Sequence, residues 1–326
     1  MSHKVENMAY VRQVPWHGLG FQMKDGASAS AMRKAAKQDY HVNKCPAGVL
    51  LPDGTWIKDL DPKGKEQGFY LVRDTDNKIL SHVGRLYQPV QTETIFQFFH
   101  DFVEAGQMEM ETSGSLDGGR IVWALARVKQ ADFALGKGKD EMRNYLLLCS
   151  PFERGKALTM QWTNVRVVCW NTLCMALGSN LKGKGHAFRM AHTRDFKVEK
   201  TEAAKAMGLV IDQSKIFADA AALLAKKKAK AEEVELFFQQ VLGKTPEEVK
   251  TRIPAALPKY RAALEQAPGA DLITAKGTWW GAVNAVTWVV DHEQGKSRDS
   301  ALKNAWLGNQ AILKRKALSL ALEAAK

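Results

Sequence analysis

The period of the apolar residues changes once along the chain, and that change limits the fold more than any other feature. From about residue 46 to 170, short apolar runs alternate with polar positions between Gly-, Pro- and Asp-bearing turns. From 197 onward, apolar residues recur every third or fourth position in stretches rich in Ala, Lys and Glu. A period of two marks strands and a period near 3.6 marks helices. The pattern predicts an α+β fold: a meander of antiparallel β-hairpins with packed helices, followed by a helical C-terminal region. It also predicts two domains, an α+β core over 1–196 and a helical region over 197–326 for packing, oligomerisation or partner docking.

Local signals place the elements. "GVLLPDGTWIKDL" reads as a hairpin around Pro52-Asp53-Gly54. "GFYLVRDTDNKILSHVG" repeats the pattern, with strands through Tyr70–Arg73 and Ile79–Val83. "TETIFQFFHDFVEAG" reads as a helix capped by Thr92, with Ile95, Phe98, Phe99 and Phe102 on one face and Gly106 as its stop. "MEMETSGSLDGGRIVWALARV" predicts two strands about a turn at Leu116–Gly119. Residues 1–45 read as an irregular leader with one helix, "SASAMRKAAKQ", capped by Ser28 or Ser30. Asn171 and Thr172 are placed to cap a helix running to Leu177, before a basic loop, "GSNLKGKGHAF". Further helices are expected at about 198–242, from the Thr245 cap of "TPEEV", and at 277–293 and 299–325, with Pro254, Pro258 and Pro268 as breaks. Trp279, Trp280 and Trp288, at helical spacing, read as packing residues.

Several function classes are excluded. No apolar run of about 18 residues exists, so no transmembrane helix or membrane partner is expected. Met1–Tyr10 carries Glu6 and Asn7 and lacks the apolar stretch of a secretory leader. Four cysteines form no disulfide framework, and reduced thiols in a cytosol are the expectation. Cys169 and Cys174 have four residues between them, and no second close pair of ligands follows. Cys45 and Cys149 stand alone, and His186 and His192 lack matching spacing, so no metal or other cofactor is expected. Cys169 lies in an apolar alternation and reads as core. No P-loop, no Gly-x-Gly-x-x-Gly and no Gly-x-Ser-x-Gly occurs, and Asp291 and His292 are adjacent and so point apart on a helix. No catalytic residue, and no enzyme activity, is expected.

Charge is the positive signal. The formal net charge is +12, and half of it falls between Ser150 and Lys200, where nine cations face three acids. Trp162, Trp170, Phe188 and Phe196 are interleaved with them. Cations spaced along a segment with aromatics between them suit a phosphate chain with bases stacked beside it. The residues expected to contact phosphate are Arg154, Lys156, Arg166, Lys182, Lys184, Arg189 and Arg194, with Trp162 for stacking; Arg120 and Arg127, flanking "IVWALA", form a second tier.

Four ordered motifs add a resemblance. "MAYVRQVPWHGLG", "LDGGRIVWALARV", "TNVRVVCWNTLCMAL" with the later "HT", and "TWWGAVNAVTWVVDH" resemble the phage/plasmid-like protein family, a domain of unknown function. The resemblance implies a home on bacteriophages, prophages and plasmids, but no activity. The hairpin–helix layout and basic strands are also similar to the single-strand annealing recombinases of the Redβ, RecT and Erf type. That similarity implies single-stranded DNA as partner, a ring or filament of copies, strand annealing in recombination, and phage or host replication proteins as further partners. The alternative expectation is a phage structural or host-interaction protein that assembles through its helical third.

Overall fold

The computed structural model describes residues 5–12, 19–168, 171–176, 188–192, 200–293 and 309–326. Contacts group the chain into two compact units, one of residues 1–127, 146–161 and 187–207, the other of 128–145, 162–186 and 208–326. The apolar period changes near 196, whereas the packing groups the chain differently because two long strands, β11 (Asp140–Pro151) and β12 (Ala157–Arg166), each run through both units. The α+β class holds: antiparallel sheets with helices, and a helical C-terminal region.

The first unit is built on β1 (Val5–Val11), β2 (Phe21–Met23), β8 (Glu109–Leu116) and β9 (Ile121–Arg127), in the order β9-β8-β1-β2. The amino-terminal segment is therefore not an irregular leader. Met8–Val11 are buried, and β1 pairs β8 antiparallel and β2 parallel. Its main partner lies a hundred residues away, so no local turn announces it. A second sheet follows β3 (Val42–Pro46), β6 (Gly68–Arg73) and β7 (Ile79–Gly84) in the order β3-β6-β7, and β4 (Gly48–Leu50) pairs β5 (Trp56–Lys58) alone. Both predicted hairpins are present, as is the turn between β8 and β9.

Helix α1 (Ala29–Ala35) is capped as expected, Ser28 Oγ accepting from the Ala31 amide at 3.2 Å. Helix α2 (Thr92–Glu104) buries Ile95, Phe96, Phe98, Phe99 and Phe102. Its N-cap is Gln91 rather than Thr92, because the Thr92 hydroxyl donates to the Gln38 carbonyl at 2.5 Å. Gly106 ends the segment at φ +70°, a conformation that favours glycine.

In the second unit, β10 (Phe133–Leu135) pairs β11, and β13 (Asn171–Ala176) pairs β12. The helix expected from Asn171 is thus a strand: sheet pairing overrides the local cap signal. The long helix expected over 198–242 is two, α3 (Lys200–Lys226) and α4 (Ala231–Val241), separated where Lys228 bridges Thr278. Helix α5 (Pro246–Thr251) carries the expected Thr245 capping box. Helix α6 (Ala256–Gln266) absorbs Pro258 in its first turn, which needs no amide donor. Helix α7 (Trp279–Trp288) is capped by Thr278 and continues as a π-turn to Glu293, and α8 (Asn309–Ala324) closes the chain. Trp279 and Trp280 are buried as expected. Among the described residues, no helix is long and apolar enough to cross a membrane.

Candidate functional site

The first unit contains a cleft of about 590 Å³, lined in part by Arg85, Tyr87, Arg154, Lys156 and His192. Three pieces of chain converge there. Strands β11 and β12 are joined by a short turn in which Gly155 takes φ +74°, leaving Arg154 and Lys156 exposed on either side of it. Strand β7 ends at Gly84, and the Tyr87 amide donates back to the Gly84 carbonyl at 3.1 Å, which puts Arg85 and Leu86 on an outward turn. The last strand, β14 (Phe188–Ala191), pairs the first half of β12, with Ala157 opposite Ala191, and delivers His192 to the cleft wall.

Two aromatic rings fix this convergence. Tyr87 Oη donates to the Pro151 carbonyl at 3.0 Å, tying the β7 turn to the end of β11. The Tyr87 and His192 rings stack at 4.7 Å and 12°. The Gln88 amide donates to the His192 carbonyl, and His192 Nδ1 lies 3.3 Å from the Gln88 carbonyl. A carbonyl can only accept, so Nδ1 carries the proton and Nε2 presents its lone pair. Nε2 is buried and has no hydrogen-bond partner among the described residues. Burial holds the imidazole pKa below its ordinary 6.5, partly opposed by the Gln88 contact, so the ring is neutral near pH 7. Burial also raises the Tyr87 phenol.

The rim is cationic. Neither Arg154 nor Lys156 has an acidic partner among the described residues. Arg85 is 3.9 Å from Asp61, too far for a strong ion pair, and Asp61 is engaged locally: its Oδ1 accepts from the Lys63 and Lys65 amides at 2.9 Å each. The cleft thus offers three exposed cations above an apolar floor containing Tyr87, Ala157 and Ala191.

The other expected contact residues fare differently. Trp162 is fully buried, donates from Nε1 to Asn144 Oδ1 at 2.9 Å, and packs edge-on against Phe217 at 5.3 Å, so it is a core residue and not a stacking platform. Arg166 is 2% exposed and holds Asp140 at 2.7 Å through Nε and 2.9 Å through Nη2. Asp140, itself fully buried, also accepts from Thr274 Oγ1 at 2.8 Å and Trp280 Nε1 at 3.0 Å. Arg166 therefore serves the core and is not available to phosphate. Arg120 is exposed and Arg127 half-buried opposite Glu109, and neither lines the cleft. Arg189 lies on β14 opposite Thr159. Lys182, Lys184 and Arg194, with Cys169 and His186, fall outside the described residues. Sequence reasoning missed Arg85; its signal was a solitary cation in the turn-rich "GRLYQP" after a strand. Among the described residues, no three His, Cys, Asp or Glu side chains come together as a metal site.

Residues 79–313 match the family DUF932, described as a domain of unknown function. The chain belongs to that family, and the match includes the β7 turn, the β11–β12 turn and His192. No curated protein and no solved structure matches the chain.

Proposed function

We propose that this protein binds single-stranded nucleic acid, with the phosphate chain held along the cleft by Arg85, Arg154 and Lys156. One observation carries the reading: three exposed cations border one cleft, and the two on the β11–β12 turn have no acidic partner among the described residues. Cations that neutralise phosphates release condensed counterions, which supplies affinity without base specificity. The net charge of +12 supports a polyanionic partner. We take single-stranded DNA as the ligand from the similarity to single-strand annealing recombinases, and a bacterial cytoplasm as its setting from the resemblance to phage and plasmid proteins. Strand annealing by an assembly of copies is the fuller form of the proposal, with replication or recombination proteins as partners.

The test is fluorescence anisotropy of labelled single- and double-stranded oligonucleotides over a salt series, on wild type and on R154E/K156E. Wild type should prefer single strands, with log affinity falling by roughly 0.7 per log unit of salt for each phosphate neutralised. The double reversal should weaken binding and flatten that slope by about two phosphates' worth. Equal binding and equal slope in the reversed protein would overturn the cleft assignment.

A further inference from the structure

The β4–β5 hairpin gathers four exposed apolar side chains. Val49 and Leu50 are each 64% exposed, and Trp56 and Ile57 each 51%. In register, Val49 faces Ile57 and Leu50 faces Trp56, so apolar side chains occupy both faces of an isolated two-stranded ribbon. Such a ribbon gains little stability from side chains left in water, and clustered exposed apolar groups mark interaction surfaces.

The indole of Trp56 is nevertheless held in place. A Cβ built on Gly48 would come within 2.6 Å of its six-membered ring, so the ring lies directly on the Gly48 backbone. The ring is braced on one side and the side chain stays half exposed. The hairpin turn is ordered by the Leu51 amide donating to Thr55 at 2.8 Å and by Gly54 at φ +87°.

Chain continuity with the cationic cleft identifies the occupant. The segment after β5 runs from Asp59 to Gln67, and Asp61 and Gln67 line the cationic cleft. Between them Lys63 and Lys65 are exposed, and neither side chain has an acidic partner among the described residues; the acids of the segment are engaged elsewhere, Asp59 by Gln67, Asp61 by the Lys63 and Lys65 amides and Glu66 by Lys58. Lys58 by contrast pairs Glu66 at 2.8 Å. A braced, half-open indole, two free lysines and the cleft thus follow one another along a single stretch of the unit. We infer that Trp56 is the base-stacking platform of the nucleic-acid site, taking a base from the same strand whose phosphates lie along Lys63, Lys65 and the cleft. This inference rests on the proposed function and replaces Trp162 in that role.

The experiment compares wild type, W56A and W56Y on an oligothymidine strand and on an abasic strand of equal length, with a thermal melt of each protein. W56A should bind oligothymidine about tenfold more weakly, a loss within the range for one stacked base, with the salt slope unchanged because no phosphate contact is lost. W56Y, which keeps an aromatic face, should retain most of that affinity. On the abasic strand, W56A and wild type should bind alike. If wild type binds oligothymidine and W56A binds it equally, or if W56A loses as much on the abasic strand, the stacking role is overturned while the cleft reading stands. If W56A changes only the size of the protein in solution, the hairpin is a self-association surface and the inference fails. If wild type binds neither strand at low salt, the proposed function itself fails.

Discussion

Arg166 and the pair Arg154/Lys156 lie on one hairpin, at opposite ends of β12, and do opposite things. In the second unit Arg166 is sealed against Asp140, and Lys314, with no exposed surface, is held at 2.6 Å by Asp291. In the first unit Arg154 and Lys156 stand on an outward turn and have no acidic partner among the described residues. A cation removed from water is tolerated only when a countercharge and further hydrogen bonds replace its hydration. A cation left in water retains its charge for a ligand. The same residue types thus split into a stabilising set and a binding set, and burial decides the membership.

The largest effect that would break this contrast is on the buried side. Arg166→Met leaves the Asp140 carboxylate buried without its charge partner, and should cost about 3–5 kcal/mol in denaturant unfolding of the second unit. A loss under about 1 kcal/mol would show that Arg166 is not a core residue. Next, Trp162→Phe removes the hydrogen bond to Asn144 and leaves a void, for an expected loss of about 1–3 kcal/mol. Oligonucleotide affinity of the folded variant should not change, and a selective affinity loss would return Trp162 to the binding set.

The third prediction concerns His192 in the cleft wall. Its imidazole is held below its ordinary 6.5, so as pH falls the unfolded chain takes up the proton before the folded one. The stability contributed by the neutral ring is fully present above pH 6.5 and is lost as pH falls below that value. Denaturant midpoints from pH 7.5 to 5 should show this decline, and His192→Asn should flatten it. An equally steep decline in the variant would assign the effect to another group. The smallest stability effect belongs to Arg154→Ala, within about 0.5 kcal/mol of wild type in a thermal melt, since the side chain is exposed and unpaired.

Much of the framework was legible because its signals are local. The β4–β5 and β6–β7 hairpins follow from turn residues between apolar runs, and Ser28 and Thr245 cap the helices their spacing suggests. Legibility failed where the partner is distant. β1 pairs a strand a hundred residues away, and β13 exists as a strand through its pairing with β12, against a credible helix cap. The site divides in the same way. A basic, aromatic-bearing 150–200 segment is visible in composition, and it contains Arg154 and Lys156. It contains Trp162 and Arg166 as well, and composition cannot tell a ring facing Phe217 from a ring facing solvent.

The sequence by itself determined the α+β class, the β4–β5 and β6–β7 hairpins and the positive charge, because turn chemistry, apolar period and ionisation are properties of neighbouring residues. Only the tertiary structure decided which cations and which tryptophans are available. Burial depends on what distant segments bring: Asp140 and Trp280 close over Arg166, while nothing among the described residues neutralises Arg154. It also brought Arg85 and His192, more than a hundred positions apart, to one cleft.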